Sequence, residues 1–337
     1  MKFMTRRECL AGLSLTAAAA LTARVGAASA KPMRGAFMIL NTPFTAAGDV
    51  DWDDLAREAL FVDRAGCQGI VWPQGSSSVA TLTLDERLRG MELLAKTVAG
   101  KRVALVLGVQ GKDTAEMLDY VRRADALGTD AMIAMPPTTG TSLDDYLAYF
   151  RALGKATSRP VIIQTSGGAR NLVPSTDLII QLAREFPHLG HVKEESDPVL
   201  ERMLAEIKAR PPMTSVFGAS FADGWLYEMR LGLDGVITGE GMYADVMAAL
   251  WEMHEKKRAD ELRSAFAAFL LMRNLEAQVP GTSLYIMKKR GIFKTTVRRA
   301  SAPTATAPAK LTEFTPNPAQ LAEIEYRFEA LRPYLKF

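Results

Sequence analysis

The stretch RVALVLGVQGKDTAEMLDYVRRADALGTDAMIAM, Arg102 to Met135, decides the fold. Its ends, Arg102–Leu107 and Ala131–Met135, are short apolar runs of the length expected for buried strands. Between them DTAEMLDYVRRADALG is amphipathic, opens with Asp113 near an N-cap and closes on Gly128, which reads as a helix. The whole is a strand, a crossover helix and a second strand.

The same alternation continues in both directions. Further candidate strands lie at Ala36–Leu40, Gly69–Trp72, Pro160–Gln164, Gly190–Lys193, Thr214–Phe217 and Gly235–Thr238, eight in all. DWDDLAREALFVDRAG and DERLRGMELLAKTVAG are helical stretches of the same kind, each opening with Asp and closing on Gly. Eight such units over roughly 220 residues fit a (β/α)8 TIM barrel, whose usual size is about 250 residues. A doubly wound open sheet would place a glycine-rich phosphate loop after its first strand, and MILNTPFTAAGD has none. The expected fold class is therefore α/β, a (β/α)8 barrel over residues 31–245. Residues 246–337 are expected to form a C-terminal helical appendage, interrupted by an irregular Pro/Ala/Thr-rich connector, RRASAPTATAPAKLTEFTPNP.

Residues 1–30 read as a signal peptide: a basic start, an apolar run from Leu10 to Ala23 and a small-residue ending at Ala28-Ser29-Ala30. The apolar run falls short of the roughly 20 residues that cross a bilayer, so no stable membrane anchor is expected. Adjacent Arg6 and Arg7 after Thr5 point to the twin-arginine route and a periplasmic destination; an ordinary export signal with neighbouring arginines is the alternative. Without this segment acids and bases are equal in number, which argues against a nucleic-acid or anionic-membrane surface. Cys67 is then the only cysteine, so no internal disulfide is expected.

In such a barrel the strand C-termini form the active face. LGHVKEESD, Leu189–Asp197, places Lys193 there. A lysine turned into the barrel keeps its stem among apolar side chains, and desolvation favours the neutral, nucleophilic amine that can attack a ketone to form a Schiff base. Alternatively, Lys193 is the first solvated residue after its strand and pairs with Glu194 or Glu195.

NTPFTAAGDVDWDDL, GCQGIVWPQGSSSVATLTLDER, GVQGKDTAEMLDYVRRADALGTDAMIAMPP, GHVKEES and GLDGVITGEG, in that order, resemble the motifs of the dihydrodipicolinate synthase / N-acetylneuraminate lyase family of pyruvate-dependent barrel enzymes. The resemblance covers about residues 33–300. It implies that Lys193 is the Schiff-base residue and that the loop from Gly75 through Ser76 and Ser77 to Ser78 holds the carboxylate of a 2-keto acid. A Gly/Ser turn suits that task by exposing backbone N–H groups and hydroxyl donors. Thr138, Gln164 and Gly239 complete the implied substrate wall. The family also implies a homo-oligomer, a tetramer whose sites border a neighbouring subunit.

The departures matter too. Where the family has a proton-relaying tyrosine after strand four, AMPPTTGTS puts Pro137, and a threonine hydroxyl at Thr138 or Thr139 is too weak an acid to replace a phenol. After strand five IIQTSGGARN gives a polar wall of Gln164, Thr165 and Ser166; Arg170 is either a second anion contact or a solvated loop residue. Tyr243 reads as a packing tyrosine rather than a replacement phenol. His188, His191 and His254 lack metal-ligand spacing, and His188 and His191 read as solvated or structural; neither metal nor cofactor is expected. The expected function is a carbon–carbon or carbon–oxygen lyase acting on pyruvate or a related 2-keto acid through an imine at Lys193. An exported keto-acid-binding barrel without turnover is the alternative.

Overall fold

The computed structural model describes residues 31–337. The export-signal reading falls on residues 1–30 and lies outside them. Eight parallel strands close into a barrel: β1 (Gly35–Ile39), β2 (Gly69–Trp72), β3 (Ala104–Gly108), β4 (Ala131–Ala134), β5 (Val161–Gln164), β6 (His191–Lys193), β7 (Ser215–Gly218) and β8 (Gly235–Thr238). Each pairs with its chain neighbours, and β8 returns to β1 with Phe37 opposite Ile237.

The connecting helices are α1 (Trp52–Ala65), α2 (Leu84–Thr97), α3 (Thr114–Ala126), α4 (Leu143–Ala156), α5 (Thr176–Glu185), α6 (Val199–Lys208), α7 (Trp225–Leu231) and α8 (Ala244–Glu255). Their ends follow local chemistry. Asp51 and Asp113 cap α1 and α3 by accepting from Asp54 N and Glu116 N, satisfying amide donors that the helix itself leaves unpaired. In α2 the cap is Thr83, two residues before Asp85, because Thr83 and Glu86 form a reciprocal capping box. Gly66 ends α1 in the left-handed region at φ 98°, where a side chain would strain the backbone.

Alternate strand residues build two apolar layers. Phe37, Ile39, Val71, Val106, Ile133, Ile162, Phe217 and Ile237 fill the barrel, with Phe37 and Phe217 meeting edge to face at 5.3 Å. The intervening residues, such as Met38, Ile70, Leu105, Met132 and Val192, pack outward against the helices. The parity of β6 follows: His191 and Lys193 share the inward face, and Val192 points out.

The boundary expected at residue 245 falls inside α8, which is the eighth helix of the barrel. Beyond it come α9 (Ala259–Arg273), α10 (Leu275–Gln278), α11 (Thr282–Lys289), β9 (Val297–Arg299), β10 (Leu311–Glu313) and α12 (Pro318–Glu329). Residues 32–337 form one compact unit, and the barrel's outer apolar cluster extends through Phe269, Met287 and Ile324 of this region. Arg290 pairs with buried Asp245 through two hydrogen bonds of 2.9 and 2.6 Å.

The connector expected to be irregular contains an antiparallel pair, β9 with β10. Its anchor is Arg299, whose buried guanidinium binds both oxygens of Glu86 and the carbonyls of Gly48 and Thr81. Those partners lie more than 200 residues upstream, so local composition gives no sign of them. Cys67 is buried and free, and burial pushes its thiol pKa up. Among the described residues no helix is long and apolar enough to cross a membrane.

Candidate active site

Lys193 ends β6 on its inward face, with Gln164 of β5 and Phe217 of β7 beside it in register. Its side chain is only 6% exposed, so Lys193 is not solvated after its strand, although it does pair with Glu195 as the alternative held. Burial lowers its pKa, and the charge and hydrogen bond of Glu195 act in the opposite direction.

The amine closes a ring of four side chains. Lys193 Nζ donates to both carboxylate oxygens of Glu195 at 3.2 Å and to Gln164 Oε1 at 3.4 Å. Gln164 Nε2 donates to Ser166 Oγ at 3.0 Å, and the Ser166 hydroxyl donates to Glu195 Oε1. Among the described residues no tyrosine hydroxyl hydrogen-bonds to this ring. Tyr146 OH accepts from Ala169 N and donates to Leu172 O, and Tyr149 OH accepts from Gly111 N.

The two acids after Lys193 diverge. Glu194 is fully buried and accepts from Thr165 Oγ1 at 2.6 Å, Ser196 N at 2.8 Å and Arg202 Nε at 2.9 Å. Arg202 also donates to Pro174 O, so this cluster ties the loops after β5 and β6 together. Nearby Glu206 is pushed up to about 9, first by burial and then by Glu194. One carboxylate therefore anchors the loop, and the other meets the amine.

His191 is structural and buried rather than solvated. Its Nδ1 lies 3.1 Å from Ser215 Oγ, whose hydroxyl donates to Met33 O, and burial lowers its pKa to about 4. His188 Nε2 lies 3.1 Å from Gly154 O.

Across the mouth, the loop after β2 forms a short 3-10 turn, Gly75–Ser77. The Ser77 hydroxyl donates to Leu40 O at 2.6 Å, and its N–H donates to Gln74 O at 3.0 Å. Ser77 is thus engaged in joining the first two loops. Ser76 and Gly75 instead line a cavity of about 570 Å³, with Gly239 beside them. A Cβ at Gly239 would stand 2.8 Å from both Ser76 Cβ and Oγ, so only glycine there leaves Ser76 its present place.

The cavity continues between the barrel mouth and the C-terminal helices, along Glu240, Tyr243, Arg273, Glu276, Ser283 and Arg298. Glu240 is buried, and burial pushes its carboxyl pKa up to about 8. Tyr243 packs edge-on against Phe269, as a packing tyrosine should. Lys193, Gln164, Ser77 and Thr138 are not among the residues lining this cavity. Thr138 is exposed, as is Arg170. The rim residues Glu240, Arg273 and Arg298 escape sequence reasoning because two of the three come from the C-terminal segment. Glu195 was visible there only as one of two equivalent acids.

Residues 32–308 match the model of the dihydrodipicolinate synthetase family. The chain belongs to that family. This family member is 28% identical over 213 residues to a 4-hydroxy-tetrahydrodipicolinate synthase of Chlorobium phaeobacteroides, covering 62% of this chain and 70% of the relative. Among solved structures, the 4-hydroxy-tetrahydrodipicolinate synthase of Methylacidiphilum fumariolicum superposes with a TM-score of 0.75 at 18% identity, over 90% of this chain and 97% of the other. The dihydrodipicolinate synthase of Aquifex aeolicus gives 0.75 at 20%, over 90% and 100%. At these identities the superpositions establish the shared barrel.

Proposed function

We propose that this protein is a lyase that forms or breaks a bond next to the carbonyl of pyruvate or a related 2-keto acid, through an imine on Lys193. The observation that carries the reading is the buried Lys193 amine at the inner end of β6, in a chain whose family relatives are synthases. An imine turns the keto carbon into an electron sink, so that the adjacent carbon loses a proton or a substituent. By family likeness the carboxylate of the keto acid is assigned to Gly75 and Ser76, which Gly239 leaves room for, and the Lys193 amine must leave its present pairing with Glu195 and turn toward their cavity to reach the bonded keto carbon. Gln164 orients the amine, and Thr138 has at most a peripheral part.

The synthase relatives favour turnover over binding alone. Incubation with pyruvate and borohydride tests the reading. One reduced pyruvate should attach irreversibly to the wild-type chain and to none of the K193R chain, and a wild-type chain that stays unmodified under these conditions rejects it.

The export reading stands on the basic, apolar and small-residue order of residues 1–30 and on the Arg6–Arg7 pair. A processed chain in the periplasmic fraction, lost from a host lacking twin-arginine transport, is the expected result. A homo-oligomer, a tetramer by family likeness, is expected in solution; sedimentation of a monomer at working concentration would remove it.

A further inference from the structure

We propose that Glu195 is the proton carrier of the imine chemistry, a role that rests on and deepens the reading of Lys193. Both of its oxygens lie 3.2 Å from the amine, within proton-transfer reach. Its side chain is 17% exposed, against 0% for Glu194, so of the two acids it is the one in contact with solvent. Gln164 has no proton to give at ordinary pH, and the Ser166 hydroxyl is too weak an acid, though it fixes Glu195 Oε1. Thr165 is engaged with Glu194. Among the described residues Glu195 is the titratable side chain that hydrogen-bonds to Lys193 Nζ.

Glu195 takes one proton from the Lys193 ammonium, leaving a neutral amine and a carboxylic acid. The amine lone pair bonds to the keto carbon, the carbonyl π pair moves to oxygen, and a proton passes from nitrogen to that oxygen. Glu195 then protonates the hydroxyl, which departs as water while the nitrogen lone pair forms the iminium. Three ammonium protons have become two in water and one on the iminium, and Glu195 is again a carboxylate. It next accepts a proton from the adjacent carbon, and that C–H pair becomes the enamine double bond.

Hydrogen–deuterium exchange at the methyl group of pyruvate, followed by proton NMR in D2O, reads the last step without needing the second substrate. E195Q should slow exchange by roughly 10²- to 10⁴-fold, the usual worth of a positioned acid–base group. The borohydride adduct should still accumulate on long incubation. E195A should be equally slow and regain exchange when formate is added, which a merely structural role would not produce. Exchange in E195Q within about threefold of wild type, alongside a normal wild-type adduct, would overturn this proposal alone. If E195Q does not fold, E195A with and without formate decides: no rescue overturns the role. An unmodified wild-type chain removes the imine reading and this role with it.

Discussion

The two sides of the barrel mouth are built on opposite principles. On the β5–β6 side charge is buried and paired: Lys193 with Glu195, and Glu194 with Arg202. On the β1–β2–β8 side there is open volume, with Ser76 and Gly239 on its wall and a buried carboxyl, Glu240, facing it. Isolated buried charges are costly, so the first side is held in one arrangement by mutual pairing. A reacting amine needs that fixity, and a substrate needs the vacancy.

The largest expected effect lies at the centre of the paired side. K193R keeps a cation for Glu195 but has no amine that can form an imine, so turnover of any keto acid should fall to background while the fold persists. Retained turnover in a purified K193R sample would place the chemistry elsewhere.

The adjacent acids then separate stability from chemistry. E194A strands the guanidinium of Arg202 and the donors of Thr165 and Ser196, and should lower unfolding free energy by about 3–5 kcal/mol in urea titrations, the usual result of breaking a buried pair. E195A removes a carboxylate that still touches solvent and should cost far less stability than E194A. Equal losses would mean that Glu195 is as firmly built into the fold as Glu194.

On the open side the effects are smaller. G239A forces Ser76 aside and should raise KM for the keto acid by about 10-fold, the worth of one weakened hydrogen bond to a charged carboxylate, with thermal stability little changed. An unchanged KM would remove Ser76 from the binding wall. The effect confined to neutral and alkaline pH is the one set by Glu240, whose folded pKa of about 8 exceeds the ordinary carboxyl value of 4.5. Between these values the unfolded chain has ionised this group and the folded chain has not. Its contribution therefore favours the fold below about 4.5 and is lost as pH rises to about 8. E240Q should match wild type in Tm near pH 4 and exceed it at pH 9; parallel curves would contradict the buried neutral carboxyl.

The strands were legible because both faces of a parallel barrel are apolar, which leaves unbroken runs such as Ala131–Ala134. Lys193 was legible for the complementary reason, a charge inside such a run. Sequence spacing could not say which of Glu194 and Glu195 meets the amine, since that depends on Thr165, Ser166 and Arg202 arriving from other loops. Nor could it show that the Ser77 hydroxyl is bound to Leu40, or that Arg273 and Arg298 return to the mouth.

A crystal structure of the protein soaked with pyruvate bears most directly on the whole scheme. The expected map has continuous density from Lys193 Nζ to the keto carbon, with the carboxylate against Gly75 and Ser76 and Glu195 within proton-transfer reach of the nitrogen. Pyruvate bound only along Arg273 and Arg298, with Lys193 and Glu195 paired as they are now, would contradict it.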